Sequence, residues 1–392
     1  MKIGIDASCW SNPRGYGRFT RELLKAMIAL EPEHQYIFFI DAISRQQCQF
    51  PEGVEVITIP TTNAATRAAS AAGYRSPTDM FRMGKVVSRT PLDILFYPSV
   101  YTYFPARTSG KTIITFHDVI AELYPQMVFP NFRSRLFWSL KTWLARFQAD
   151  SILTVSNFSR DGIIKYFRVS PDRVVVTVEA ADNIFYPITS NKVLEQKLQI
   201  YHLTTQKPYF LYVGGIAPHK NLKVLIQAFQ RFLNLPGKKE YQLVIVGDYE
   251  ADAFWMDAEI QSLAHHKSKL DKIIFTGFVP DEDLPYLYSG AEALIFPSFC
   301  EGFGLPALEA MACGTPVIAS NTTSLPEVVG DAGLFFNPSN PEDLANTMCI
   351  FADDKDLRIK LKEKAIKRAG QYSWEKGAQI VLNLMQELKR KK

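Results

Sequence analysis

Apolar residues in this chain fall into short runs, each closed by glycine, proline or a charged residue, with stretches of helical spacing between them. A short run that is apolar on both faces reads as a strand buried in a parallel sheet, and the stretch after it as a crossover helix. The first half predicts strands at Lys2–Asp6, Tyr36–Asp41, Val54–Ile59, Asp93–Pro98, Lys111–Phe116, Ser151–Val155 and Val174–Val178. The second half predicts them at Tyr209–Val213, Leu243–Gly247 with Asp248 in the following turn, Ile273–Val279, Ala293–Phe296, Pro316–Ser320 and Leu334–Phe336. Strands alternating with helices specify doubly wound α/β architecture. At 392 residues the chain exceeds what one core serves, so two Rossmann-like domains are expected, 1–188 and 189–371. Between them Ile188–Lys207 reads as a polar linker with a short helix.

The second half is organised around the strand Ala293–Phe296 with its loop and helix. Pro297 stops the strand, and Glu301-Gly302-Phe303-Gly304-Leu305 leads to Pro306, suited to a first helical turn, with Gly314 past the helix end. Free amides at a helix start favour an anion, and glycines let it approach the backbone. Glu301 lies before this helix and Glu309 about one turn inside it, so carboxylates that accept from hydroxyls flank an anion site. Taken alone, each glutamate could equally be a solvated surface residue. A related unit opens the second domain, where the strand Tyr209–Val213 ends at Gly214-Gly215 and Lys220 precedes the next helix, making a phosphate site with a point charge.

Near the N-terminus Pro13-Arg14-Gly15-Tyr16-Gly17 enters an amphipathic helix, and Asp41 closes the following strand. This half-resembles a dinucleotide fingerprint, but the third glycine is missing, so a loop aimed at phosphate or a sugar ring fits better than NAD. His117-Asp118 follows a buried strand directly, at the end where open α/β sheets bind ligands. Asp281-Glu282-Asp283 and Asp354-Lys355-Asp356 read as helix-capping turns, not metal sites. Ser159 and Ser324 are further expected N-caps.

The stretch Glu301 to Glu309 resembles the E-x7-E signature of the retaining, nucleotide-sugar-dependent glycosyltransferases of family 4, which have the GT-B fold, and the other stretches occur in the family's order along nearly the whole chain. The resemblance implies two domains facing a cleft, with the helix 372–392, starting at Tyr372-Ser373-Trp374-Glu375, crossing back to the first domain. It places Gly15 and Gly17 at the cleft and His117 and Asp118 at the donor sugar. Gly215, His219 and Lys220 fall at the diphosphate, the backbone of Gly277 to Val279 at the base, and Gly302, Phe303, Gly304 and Leu305 at the phosphates. Glu309 then holds ribose, and Glu301 the transferred sugar. The family usually carries Arg where His219 stands, or Arg where Gly215 stands. With both absent, Lys220 would take more of the leaving-group charge, and His219 would add a dependence on protonation. The implied reaction is transfer of a hexose to a hydroxyl of a glycan or lipid-linked acceptor, by front-face attack assisted by the leaving phosphate. No cofactor and no metal are implied. The Pro-His-Lys-Asn turn looks most like mannosyltransferases of polysaccharide assembly, which leans toward GDP-mannose. Alternatives in other classes are a nucleotide-sugar 2-epimerase of the same fold, a dinucleotide oxidoreductase and a non-catalytic sugar-nucleotide-binding protein.

Charge and cysteine content narrow the setting. Lys and Arg number 44 against 40 Asp and Glu, too small an excess to argue for nucleic acid. No apolar leader or membrane span is evident, and the five scattered cysteines carry no C-x-x-C pair, so a cytoplasmic protein with reduced thiols is expected. Arg67, Arg75, Arg82, Lys85 and Arg89 cluster against Asp79, read as a solvated helix face. Phe132 to Ala149 mixes aromatics with Arg133, Arg135, Lys141 and Arg146. It could lie on a membrane, but a crossover helix packed on the sheet is the expectation.

Overall fold

The computed structural model describes residues 1–12, 15–65, 75–247, 260 and 272–391. Pro13, Arg14, Arg67 and Asp248 of the sequence reading lie outside the described residues. The chain divides into two compact units, Met1–Glu179 with Ser373–Lys392, and Ala180–Tyr372. The first unit thus ends nine residues before the sequence-expected boundary, and the terminal helix belongs to it.

The first unit is a seven-stranded parallel sheet in the order β3-β2-β1-β4-β5-β6-β7. Its strands are β1 (Lys2–Asp6), β2 (Gln35–Asp41), β3 (Glu55–Ile59), β4 (Ile94–Tyr97), β5 (Lys111–Thr115), β6 (Ser151–Thr154) and β7 (Val174–Val176). The second unit is a six-stranded parallel sheet, β10-β9-β8-β11-β12-β13. Here β8 is Tyr209–Val213, β9 Gln242–Val246, β10 Ile273–Gly277, β11 Ala293–Phe296, β12 Val317–Ser320 and β13 Gly333–Phe336. Helices cover both faces, so central strands such as β4, β8 and β11 are buried along their whole length. That is why they read as unbroken apolar runs. The core of the second unit gathers Phe210, Phe229, Phe232, Ile245 and Phe351 between β8, β9 and the helices Leu222–Leu233 and Pro341–Asp353. Each such side chain contributes roughly 1.5–3 kcal/mol of hydrophobic stabilisation.

The helix Trp374–Arg390 is capped by Ser373, whose side chain accepts from the Lys376 amide at 3.2 Å. Trp374 meets Phe19 edge-on at 6.2 Å, and the Thr177 hydroxyl donates to the Gly377 carbonyl at 3.0 Å. A side chain at Gly377 would strike the Val178 carbonyl at 2.6 Å, so glycine is what lets this helix lie against the chain after β7.

Several local expectations change. The N-cap of Asn157–Phe167 is Ser156, which accepts from the Ser159 amide at 3.1 Å, and Ser159 instead bonds the His117 carbonyl. Asp283 precedes the helix Leu284–Gly290 without capping it, because Lys197 and Tyr201 bind its two oxygens at 2.7 and 2.6 Å. Ser324 likewise makes no cap bond to Leu325–Val329. Asp354 does cap Lys355–Ala369, through the Leu357 amide. Arg82, Lys85 and Arg89 stand exposed on the helix Pro77–Arg89, as expected of a solvated face, but Arg75 precedes the helix and turns inward to the Thr102 carbonyl and the Phe104 ring, and Asp79 is buried. The helix Phe132–Gln148 crosses from β5 to β6, but it buries only Trp138, Thr142 and Ala145.

Candidate active site

In each sheet the strand order reverses once, between β1 and β4 in the first unit and between β8 and β11 in the second. Open α/β sheets bind ligands outside the carboxyl ends of the strands at such a switch point. In the second unit, the loops leaving β8 and β11 are tied together there. Asn221, held at φ 61° where asparagine is more tolerated than most residues, donates from its amide to the Pro297 carbonyl at 3.0 Å and the Pro338 carbonyl at 2.8 Å. The Phe299 amide donates to the His219 carbonyl at 2.9 Å. Between these ties, Lys220 Nζ donates to Glu301 Oε1 at 2.7 Å.

Neither glutamate is a solvated surface group. Glu301 is 7% exposed and Glu309 3%. The Glu301 amide donates to Thr323 Oγ1 at 3.2 Å, and Ser324 Oγ donates to the carbonyls of Glu301 and Phe303 at 3.1 and 2.8 Å. The turn after β12 therefore fixes the loop after β11. Gly304 begins the helix Leu305–Ala312 at φ 114°, a conformation glycine favours. A Cβ there would lie 2.9 Å from Leu325 and 3.3 Å from Phe296. Phe303 is buried edge-on against Tyr372, leaving its backbone rather than its ring for any ligand. Inside the helix, Glu309 accepts from the Tyr288 hydroxyl at 2.9 Å.

Gly215 is exposed, and its carbonyl accepts from the Tyr212 hydroxyl at 2.8 Å. Gly277, at φ 74°, ends β10 with its carbonyl bonded by the Gly247 amide, and Val279 beyond it is buried. His219 is half-buried with its Nδ1 shut away from solvent and unpaired. Burial, reinforced by Lys220 and opposed by Glu301, lowers its pKa from 6.5 to about 4. The imidazole is therefore neutral near pH 7, and any dependence on its protonation falls at acid pH. Because the unfolded chain takes up this proton first, stability is lost as pH falls from 6.5 toward 4. His219→Asn should remove that loss. In thermal unfolding at pH 7, 5.5 and 4, the variant should gain on the wild type as pH falls, and a constant difference would refute the buried neutral imidazole.

In the first unit, His117 comes directly after β5 and is held on three sides. Its Nε2 donates to the Pro98 carbonyl at 2.9 Å, since a carbonyl only accepts, and its ring stands edge-on to Phe19 at 4.8 Å. Its Nδ1 faces Glu179 Oε1 at 3.8 Å. Burial raises the pKa of Glu179, with His117 and Arg18 opposing. Asp118 accepts from the Ile120 amide at 2.9 Å and the Tyr101 hydroxyl at 3.1 Å. Gly15 and Gly17 lie not in a loop but in the first turn of the helix Gly15–Leu30. Gly15 is exposed, whereas a Cβ on Gly17 would run into the Asn12 carbonyl, so Gly17 serves a close backbone crossing.

Glu179, Tyr288 and Thr323 were not anticipated, and Ser324 was expected only as an N-cap. Glu179 carried a usable signal, an acid just past a strand's carboxyl end. The others support the site through contacts distant in sequence. Among the described residues, Glu31, Glu33 and His34 lie close enough together to share a cation, but they precede β2, at the opposite strand end from the switch point.

Two family models match the chain, "Glycosyltransferase Family 4" over residues 13–178 and "Glycosyl transferases group 1" over residues 195–368. An O-antigen chain mannosyltransferase B of Escherichia coli is 39% identical over 277 residues, 70% of this chain and 69% of that protein. Sucrose-phosphate synthase from Thermosynechococcus elongatus shares the fold with a TM-score of 0.75 at 19% identity, over 100% of this chain and 99% of that one. The Anabaena protein HepE, solved with UDP and glucose, aligns with a TM-score of 0.72 at 19% identity, over 98% of each chain. The architecture of two parallel-sheet α/β units is that of the GT-B enzymes.

Proposed function

The chain belongs to the glycosyltransferases of family 4, and from that premise we propose that it transfers a hexose from a nucleoside diphosphate sugar to a hydroxyl of a glycan or lipid-linked acceptor, with retention at the anomeric carbon. The observation that carries this reading is the Lys220–Glu301 pair at the β8/β11 switch point, 2.7 Å apart, beside the glycine-led start of the helix bearing Glu309. A cation and helix-start amides suit a departing diphosphate, and two carboxylates suit ribose and sugar hydroxyls. Lys220 and the backbone of Gly302 to Leu305 take the developing charge, with Gly215 and His219 lining the same turn. Glu309 holds ribose, Glu301 holds the transferred sugar, and the backbone at Gly277 and Val279 frames the base. The resemblance assigns His117 and Asp118 to the sugar as well. Glycosidases flank the scissile bond with two carboxylates. Here Glu301 is paired to a lysine and Glu309 to a tyrosine, which supports front-face attack assisted by the leaving phosphate over a covalent carboxylate intermediate.

Mannose is the favoured hexose, with GDP as its carrier, because the 39%-identical relative is named a mannosyltransferase of O-antigen chains. We place the protein in the cytoplasm, with peripheral membrane contact where the acceptor is lipid-linked. No divalent ion takes part in this mechanism. Incubation with GDP-mannose and a mannan-type acceptor should give an α-linked product, the donor's own configuration, and EDTA should leave the rate unchanged. Inverted product, or full loss with EDTA and rescue by manganese or magnesium, would overturn the mechanism.

A further inference from the structure

The helix Phe132–Gln148 is amphipathic in the wrong sense for a helix that only covers a sheet. Its buried residues, Trp138, Thr142 and Ala145, form one narrow line. Phe132, Leu136, Leu140, Trp143 and Phe147 are 76, 57, 52, 54 and 82% exposed. At 3.6 residues per turn these five fall within an arc of about 80°, on the side away from the buried line. Phe137, 62% exposed, widens the same face. Trp143 and Phe147 stack on one another at 6.0 Å, with no ring of another element over them among the described residues. A continuous apolar stripe of this kind marks an interaction surface, unlike single exposed apolar residues.

The charge of the helix selects the occupant. Its 17 residues carry Arg133, Arg135, Lys141 and Arg146 and no acid. Arg133 and Arg135 are exposed beside the stripe. Lys141 and Arg146 turn inward, to the carbonyls of Tyr101 and of Thr142 and Phe167. Among the described residues no helix is long and apolar enough to cross a membrane. Aromatic and leucine side chains on one face, flanked by arginine, suit the boundary between headgroups and acyl chains of an anionic bilayer.

We propose that the outer face of Phe132–Gln148 docks the protein on an anionic lipid surface, lying in the plane of the interface with the aromatic stripe among the acyl chains. This specifies the membrane contact proposed above, but it rests on the helix itself and not on the donor chemistry. The surface so held would keep a lipid-linked acceptor within the protein's reach.

Cosedimentation of the full chain with vesicles tests it. Vesicles of phosphatidylglycerol and phosphatidylethanolamine should bind the protein, phosphatidylcholine vesicles much less, and added salt should weaken the binding. Brominated acyl chains should quench tryptophan fluorescence in the wild type, and less in Trp143→Tyr. Leu140→Glu with Phe147→Glu, on the exposed face, should lower vesicle binding by at least about 10-fold. Stabilisation by a nucleoside diphosphate should be unchanged in that variant, which separates failure here from failure of the donor reading. Equal binding by variant and wild type, or no binding by either, would overturn the proposal. So would a wild-type dimer in lipid-free sedimentation that the double variant converts to monomer, since a second copy would then own the stripe.

Discussion

Lys220→Ala should lower turnover at saturating donor by roughly 100-fold, about what an enzyme loses with one oxyanion-hole donor. Departure of a nucleoside diphosphate leaves negative charge on the β-phosphate, and the switch-point loops offer few side-chain cations to meet it. His219 is neutral near pH 7, its pKa held to about 4 chiefly by burial. Gly215 brings no side chain at all. Lys220 is paired to Glu301 at 2.7 Å, so the diphosphate must draw it away or share it. The interaction that grows as the bond breaks is then the one between Lys220 and phosphate, and its loss appears in kcat more than in KM. Alanine also strands Glu301, whose side chain is 10% exposed, so unfolding must be measured alongside. A loss below threefold with intact folding would sink the assignment.

The two glutamates should separate when the substrate is cut in two. Glu309 is buried in the helix and hydrogen-bonded to Tyr288, so Glu309→Gln keeps an acceptor for that hydroxyl while removing the charge offered to ribose. Charge-assisted hydrogen bonds contribute about 1.5–3 kcal/mol, so affinity for a free nucleoside diphosphate should fall by roughly 10-fold or more. A 2′-deoxyribose analogue should lose little further affinity on that variant. Glu301→Ala should behave differently. It frees Lys220 from its ion pair, so nucleoside diphosphate binding should persist or tighten, while transfer from the full donor collapses for want of a grip on the sugar. Isothermal titration showing weakened diphosphate binding in Glu301→Ala and unchanged binding in Glu309→Gln would reverse the two roles.

The strands were legible because a parallel sheet covered on both faces forces apolar runs, and β1 at Lys2–Asp6 begins and ends where the pattern puts it. The loops of the second unit were legible because glycine, proline and lysine at strand ends have few other uses. Caps were less so. Ser156 and Ser159 both suit an N-cap locally, and the choice is settled by the His117 carbonyl, which occupies Ser159. Asp283 was diverted by Lys197 and Tyr201, which approach from a preceding helix and turn. The Glu179–His117 contact joins the ends of different strands, and no local pattern encodes it. Periodicity in Phe132–Gln148 could not say which of two apolar faces meets the sheet, and the narrower one does.

Thermal unfolding of the wild type against a panel of nucleoside diphosphate hexoses, with NADH as a control, tests the central claim most directly. A ligand at about 100 times its dissociation constant stabilises by roughly 2.7 kcal/mol, which is several degrees at least in a domain of this size. The account predicts a clear upward shift with GDP-mannose or another nucleoside diphosphate hexose, a smaller one in Glu309→Gln, and none with NADH. A shift with NADH and with no nucleotide sugar would contradict it.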